Sequence, residues 1–123
     1  MTRTANNFQL FRGDTKLFTL NFTTLAGSPI DIRGHGLWFT MKRSVDDPDS
    51  AAVLQKKIVF PETIESETGR GTLVLSSVET DLLEPGIYLY DMQKVIPDQP
   101  PIVATFISGR IQVLPDITRT PGG

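Results

Sequence analysis

The stretch Leu83-Glu84-Pro85-Gly86-Ile87-Tyr88-Leu89-Tyr90 decides the fold. Pro85-Gly86 punctuates the chain, and beyond it aromatic and aliphatic residues alternate with the period of two that marks a strand. A tyrosine just after the turn into a sandwich strand can fold its hydroxyl back onto the backbone a few residues upstream. This is the tyrosine corner, and the residue two places further on points into the core. Tyr88 is the expected corner and Tyr90 the expected core residue.

The same alternation recurs on both sides. Downstream, Ile87–Ile96 is the longest strand. Two further strands, Ile102–Phe106 and Arg110–Leu114, are expected to meet in a turn at Ser108-Gly109. Upstream, Ser76-Ser77-Val78-Glu79 has capping-box spacing and predicts a short helical turn near 77–83. Other expected strands are Phe8–Arg12, Leu17–Thr23, Leu37–Lys42, Ala52–Phe60 and Thr72–Leu75. Ile30–Ile32 reads as a short extended piece, and the acidic stretches 44–50 and 61–69 read as loops. The expectation is an all-β fold, an immunoglobulin-like antiparallel β-sandwich of about 7–8 strands. Tyr90 then takes the place of the second cysteine of an antibody domain. Residues 8–115 form one domain, with a flexible segment at 1–7 and a tail at 116–123.

Composition narrows the function classes. The 123 residues carry a net charge of −2, with 39% apolar and 21% charged residues. That is a globular composition long enough to hold one core. There is no cysteine and one histidine, which argues against disulfides, thiol catalysis, a His-relayed triad and Cys- or His-based metal sites. The charge balance gives no reason to expect a nucleic-acid partner. No apolar run approaches the ~20 residues of a membrane span, so no membrane partner is expected.

Several residues invite a chemical reading and also have a plainer one. Arg12-Gly13-Asp14 is the integrin tripeptide, but Gly-Asp between two strands reads as a turn. Asp46, Asp47 and Asp49 offer carboxylates to a cation, yet the glycine and distal glutamate of a calcium loop are missing. Glu62, Glu65 and Glu67 read the same way, as solvated charges. No nucleophile elbow or phosphate loop is present, so no enzyme, cofactor or small-molecule ligand is expected. Trp38 has two readings. If Leu37, Phe39 and Met41 face the core, it points outward as an anchor for a partner; facing inward, it fills the core as the tryptophan of a sandwich's third strand does. Lys56-Lys57 and Pro100-Pro101 suit exposed strand edges. Ile117 and Arg119 belong to a tail that either docks on a neighbour or stays free. Trp38, Ile117 and Arg119 are the candidate interface.

The order of these elements resembles a known family. Phe11-Arg12-Gly13-Asp14-Thr15, an alternating strand, Gly27-Ser28-Pro29-Ile30-Asp31-Ile32, the Trp38-Phe39-Thr40 strand, residues 83–91 and Ser108–Val113 follow one another as in phage tail proteins. The likeness is to the N-terminal domain of baseplate upper proteins and related immunoglobulin-like phage and prophage domains, and it covers residues 8–118. It implies a non-enzymatic virion structural protein, made in the bacterial cytoplasm and assembled into a tail or baseplate. Its partners would be other tail or baseplate proteins, or further copies in a homo-oligomer. The alternative is a module that recognises a saccharide on the host surface.

Overall fold

Strand β7, Gly86–Ile96, is the spine of the molecule, and the order of the other strands follows from what its two sides bind. The computed structural model describes residues 4–117, with side chains from residue 6 onward. In chain order the remaining strands are β1 (Thr4–Ala5), β2 (Phe8–Phe11), β3 (Lys16–Asn21), β4 (Gly36–Lys42), β5 (Leu54–Val59), β6 (Arg70–Leu75) and β8 (Ile102–Leu114). Six of them form one sheet in the order β1–β8–β7–β4–β5, with β2 also on β8, while β3 and β6 form a second sheet. The two sheets make an immunoglobulin-like β-sandwich.

Alternation decides which side chains meet between the sheets. Leu37, Phe39 and Met41 of β4 are fully buried, as are Leu73 and Leu75 of β6 and Met92 of β7. Aromatic rings form the centre of the core. Phe39 lies 5.9 Å from Tyr90 and 6.2 Å from Phe18, and Phe8 lies 5.0 Å from Phe18 and 5.4 Å from Tyr90. Phe18 belongs to the small sheet and the other three to the large one, so these rings join the two layers. Such pairs add to the stabilisation from burial alone.

Four features differ from the sequence expectation. The last two strands are one: β8 runs 13 residues without a turn, and Ser108 and Gly109 pair with Asp91 and Tyr90 in mid-strand. The glycine serves a close approach instead of a bend, since a Cβ at Gly109 would overlap the Asn6 carbonyl. The segment expected to be flexible at 1–7 is, over residues 4–7, held to β8. β1 pairs with Ile107 and Ser108, the Asn6 amide donates to the Ser108 carbonyl at 2.9 Å, and the Arg110 amide donates to Asn7 Oδ1 at 3.0 Å. The sandwich is not wholly antiparallel, because β1 and β2 both run parallel to β8. Finally, the acidic stretch 61–69 contains a helical turn, α1 (Ile64–Glu67), capped by Thr63, whose side chain accepts from the Ser66 amide.

The helical turn expected near 77–83 is α2 (Ser77–Asp81), with the Ser76–Glu79 capping box formed in both directions. Lys56, the charge that interrupted the alternation of β5, reaches across to Glu79 at 2.8 Å and to the Val74 carbonyl of β6 at 2.5 Å. One lysine thus ties the edge of the large sheet to the edge of the small one. Past β8, Asp116 lies 3.8 Å from Arg12, so the tail expected from 116 is tethered at its first residue.

Candidate functional site

The two tyrosines do different structural work. Tyr88 is fully buried and its hydroxyl donates to the Glu84 carbonyl at 2.5 Å, closing the corner across Pro85-Gly86. The Tyr90 hydroxyl donates to the Asn6 carbonyl at 2.5 Å, far away in sequence. Burial pushes the Tyr90 phenol above its ordinary value. Both are framework groups, each with its hydroxyl committed to a backbone carbonyl.

Trp38 lies on the outer face of the large sheet. Its neighbours Leu37 and Phe39 take the core, so the core reading of Trp38 does not hold, and its ring is half-buried among polar side chains. The register sets Trp38 opposite Lys57 on β5 and Gln93 on β7, with Thr105 of β8 beyond Gln93. One row along, Thr40 lies between Gln55 and Asp91, and Ser108 faces Asp91. Neighbouring strands are ~4.8 Å apart, so these rows form a polar lattice. Its amides are held in place: Gln55 donates to Thr40 Oγ1 at 3.1 Å and Gln93 to Thr105 Oγ1 at 3.3 Å. Lys57 Nζ sits 4.1 Å above the Trp38 ring, a cation–π contact. A groove of about 660 Å³ opens along these rows, and a smaller apolar depression of about 270 Å³, lined by Val59, Val95, Pro97 and Pro101, lies on the other side of Trp38.

The remaining candidates fall into place individually. Ile117 is 97% exposed and borders neither depression beside Trp38; Arg119 lies outside the described residues. Arg12-Gly13-Asp14 is a turn: Gly13 has φ of +86°, the Asp14 amide donates to Phe11, and Arg12 Nε donates to the Asp81 carbonyl at 2.9 Å. In the loop after β4, Lys42 Nζ lies 2.7 Å from Asp49 and donates to the Asp47 carbonyl at 2.9 Å, while Asp47 Oδ2 accepts from the Ser44 amide. The lysine beside Asp49 holds that carboxyl below its usual range. A lysine thus occupies the position a cation would take. Among the described residues, no three Asp, Glu or His side chains converge as a metal site.

Sequence reasoning passed over Lys94. It stands in phase with Tyr88, Tyr90 and Met92 on β7, so alternation turns it between the sheets, and it is only 9% exposed. A charge at a core position of the longest expected strand was the available signal. Its ammonium lies 5.1 Å from the Phe22 ring centroid and, among the described residues, makes no ion pair or hydrogen bond. Burial pushes its pKa down from the ordinary 10.5. His35, whose Nδ1 is buried without a partner, is likewise pushed down, first by burial and then by the charge of Lys94.

The sign of the resulting pH dependence follows directly. The folded state binds the Lys94 proton less tightly than the unfolded state. The penalty is therefore fully present below the folded pKa and is relieved as pH rises from there towards 10.5. Lys94→Met keeps the apolar stem and removes the charge. It should raise stability by about 1–2 kcal/mol at neutral pH, and chemical denaturation between pH 7 and pH 10 should show a rising slope in the parent that flattens in the variant. Equal slopes would mean that Lys94 is solvated in the folded state.

No family model matches the sequence, and no curated protein matches it. Among solved structures, the chain is similar to one named Tim-1, at 18% identity and a TM-score of 0.43, over 97% of this chain and 100% of that chain. A likeness of that size adds nothing to the site, which rests on the residues themselves. No helix among the described residues is long and apolar enough to cross a membrane.

Proposed function

We propose that the protein is a non-enzymatic structural module of a phage or prophage tail or baseplate, made in the bacterial cytoplasm and built into the particle through protein–protein contacts. The order of sequence elements described above supports the family. The observation that carries the mode of action is Trp38, half-buried on the outer face of the large sheet beside a groove of about 660 Å³. Interface energy concentrates in such aromatic anchors. The neighbouring strand β5 is an end strand of the sheet, and Val59 on it is 70% exposed, so a partner can add contacts along the edge as well as on the face. The partner is another tail or baseplate protein or a further copy of the chain.

Mass spectrometry of purified particles tests this reading, with the chain expected at a fixed ratio to other tail proteins. Trp38→Ala should lower its incorporation by about tenfold or more while the isolated domain melts close to the parent temperature. Absence of the parent chain from clean particles would sink the assignment.

A second reading is favoured by the polar lattice itself. Gln55, Asp91 and Gln93 beside a tryptophan are the amide, carboxylate and aromatic groups that bind a saccharide's hydroxyls and apolar faces. On that reading the module recognises a host-surface glycan, and glycan addition should change Trp38 fluorescence. An assembly face would leave the emission unmoved.

A further inference from the structure

The small sheet has two strands and the large sheet six, so part of the large sheet's inner face has no strand opposite it. The uncovered region is a cleft of about 400 Å³ between the sheets, lined by Leu20, Phe22, Ile30, Ala104 and Phe106, with Lys94 at its wall. That volume falls within the range of small-ligand pockets. Its walls are chiefly apolar, and its polar rim consists of Asn6, Thr19, Asn21 and Thr23, with no Asp or Glu among the lining residues.

Lys94 is what makes this cleft more than a packing gap. A buried ammonium is costly unless it is paired. Elsewhere the chain answers partly buried lysines with carboxylates: Lys42 with Asp49 and Lys56 with Glu79. Lys94 is more buried than either and, among the described residues, has only the face of Phe22, a weaker partner. Lys94 lines the cleft, and its ammonium lies 5.1 Å from the ring centroid of Phe22, another of the lining residues. His35, which feels the charge of Lys94, is itself basic and offers no countercharge.

We propose that this inter-sheet cleft is a binding site for a small carboxylate with an apolar or aromatic body. The carboxylate would accept charge-assisted hydrogen bonds from Lys94 Nζ, with Asn6 and Asn21 at the rim as further hydrogen-bonding groups. The body would lie against the wall formed by Phe22 and Phe106, which pack edge to face with ring centroids 5.0 Å apart, and against Leu20 and Ile30. The ion pair would supply the countercharge that the fold withholds. Ligand and fold thus share one requirement, an anion delivered from outside. This site is independent of the tail reading and lies between the sheets, whereas Trp38 is on the outer face.

The test is a titration of the intact chain with 4-phenylbutyrate, followed by ¹H–¹⁵N correlation spectra, with 4-phenylbutan-1-ol as the neutral control. Saturable shifts are expected at the amides of Leu20, Phe22, Ala104 and Phe106. The alcohol should bind about tenfold more weakly or worse, the loss matching one charge-assisted hydrogen bond. Lys94→Met should fold and should reduce phenylbutyrate affinity by a similar factor while leaving the alcohol's affinity unchanged. Absence of saturable shifts, equal binding of acid and alcohol by the parent, or shifts centred on Trp38 would each overturn the proposal. Because the alcohol comparison uses the parent protein, it decides the question even if the variant fails to fold.

Discussion

Phe39→Ala should destabilise the domain by about 3–5 kcal/mol, the range for truncating a buried aromatic side chain. Phe39 is fully buried on β4 and lies between Tyr90 of its own sheet and Phe18 of the other, with centroid distances of 5.9 and 6.2 Å. Removing the ring takes out a contact within the large sheet and a contact between the layers together, and rigid strands on both sides limit how far the cavity can collapse. Thermal unfolding should show a fall in Tm of roughly ten degrees or more. Trp38→Ala, one residue away, should cost far less because that ring lies on the outer face of the sheet and is only partly buried. The two adjacent aromatics therefore separate stability from contact. A Phe39→Ala protein that melts within a few degrees of the parent would mean that the aromatic centre does not bear on the core as described.

Gly109→Val should release residues 4–7 from the large sheet, at a cost of about 2–4 kcal/mol. Valine is a better strand residue than glycine, so any loss must come from the missing space, where a Cβ would overlap the Asn6 carbonyl. Backing Asn6 away breaks its amide bond to Ser108, the Arg110 amide's bond to Asn7, and the Tyr90 hydroxyl's bond to Asn6. A net ~1 kcal/mol for each of these bonds, together with the stranded phenol, gives the estimate. Amide exchange should accelerate at Asn6 and Arg110, with β4 and β5 unaffected. Gly36→Ala provides the contrast: the added Cβ would lie 3.5 Å from its nearest neighbour, Val95 Cβ, which is ordinary contact, and its stability should be nearly unchanged. Slow exchange at Asn6 in Gly109→Val would show that the crossing tolerates a side chain.

Gly109 also marks the limit of what the sequence makes legible. Its pattern distinguishes strands from loops well, because burial on one face imposes a period of two on Leu37–Met41 and Tyr88–Met92. Capping is equally local, and Ser76 and Glu79 announce α2 by their spacing. A glycine, however, is as suited to a close crossing as to a turn, and the residue that crosses it here is more than a hundred positions away. Long separation in the chain also hid the parallel pairing of β1 and β2 with β8 and the Tyr90–Asn6 bond, whose partners are 84 positions apart. Trp38 was ambiguous because alternation gives two faces and does not say which is inward. The structure settles this through Leu37 and Phe39. Lys94 was legible in phase but not in consequence, since nothing along the chain tells whether a core-facing lysine meets a carboxylate or a void.

The parallel pairing of β2 with β8 also determines how the domain carries mechanical load. Phe8 lies beside Ile111 and Phe11 beside Leu114, so the two strands point the same way. A pull that enters where β2 begins and leaves where β8 ends drags them past each other along their length. The evenly spaced bonds of a parallel ladder then share the force in shear and must fail together, whereas an antiparallel terminal pair pulled from one end would unzip bond by bond. Tension between the two ends is therefore met by the whole seam at once.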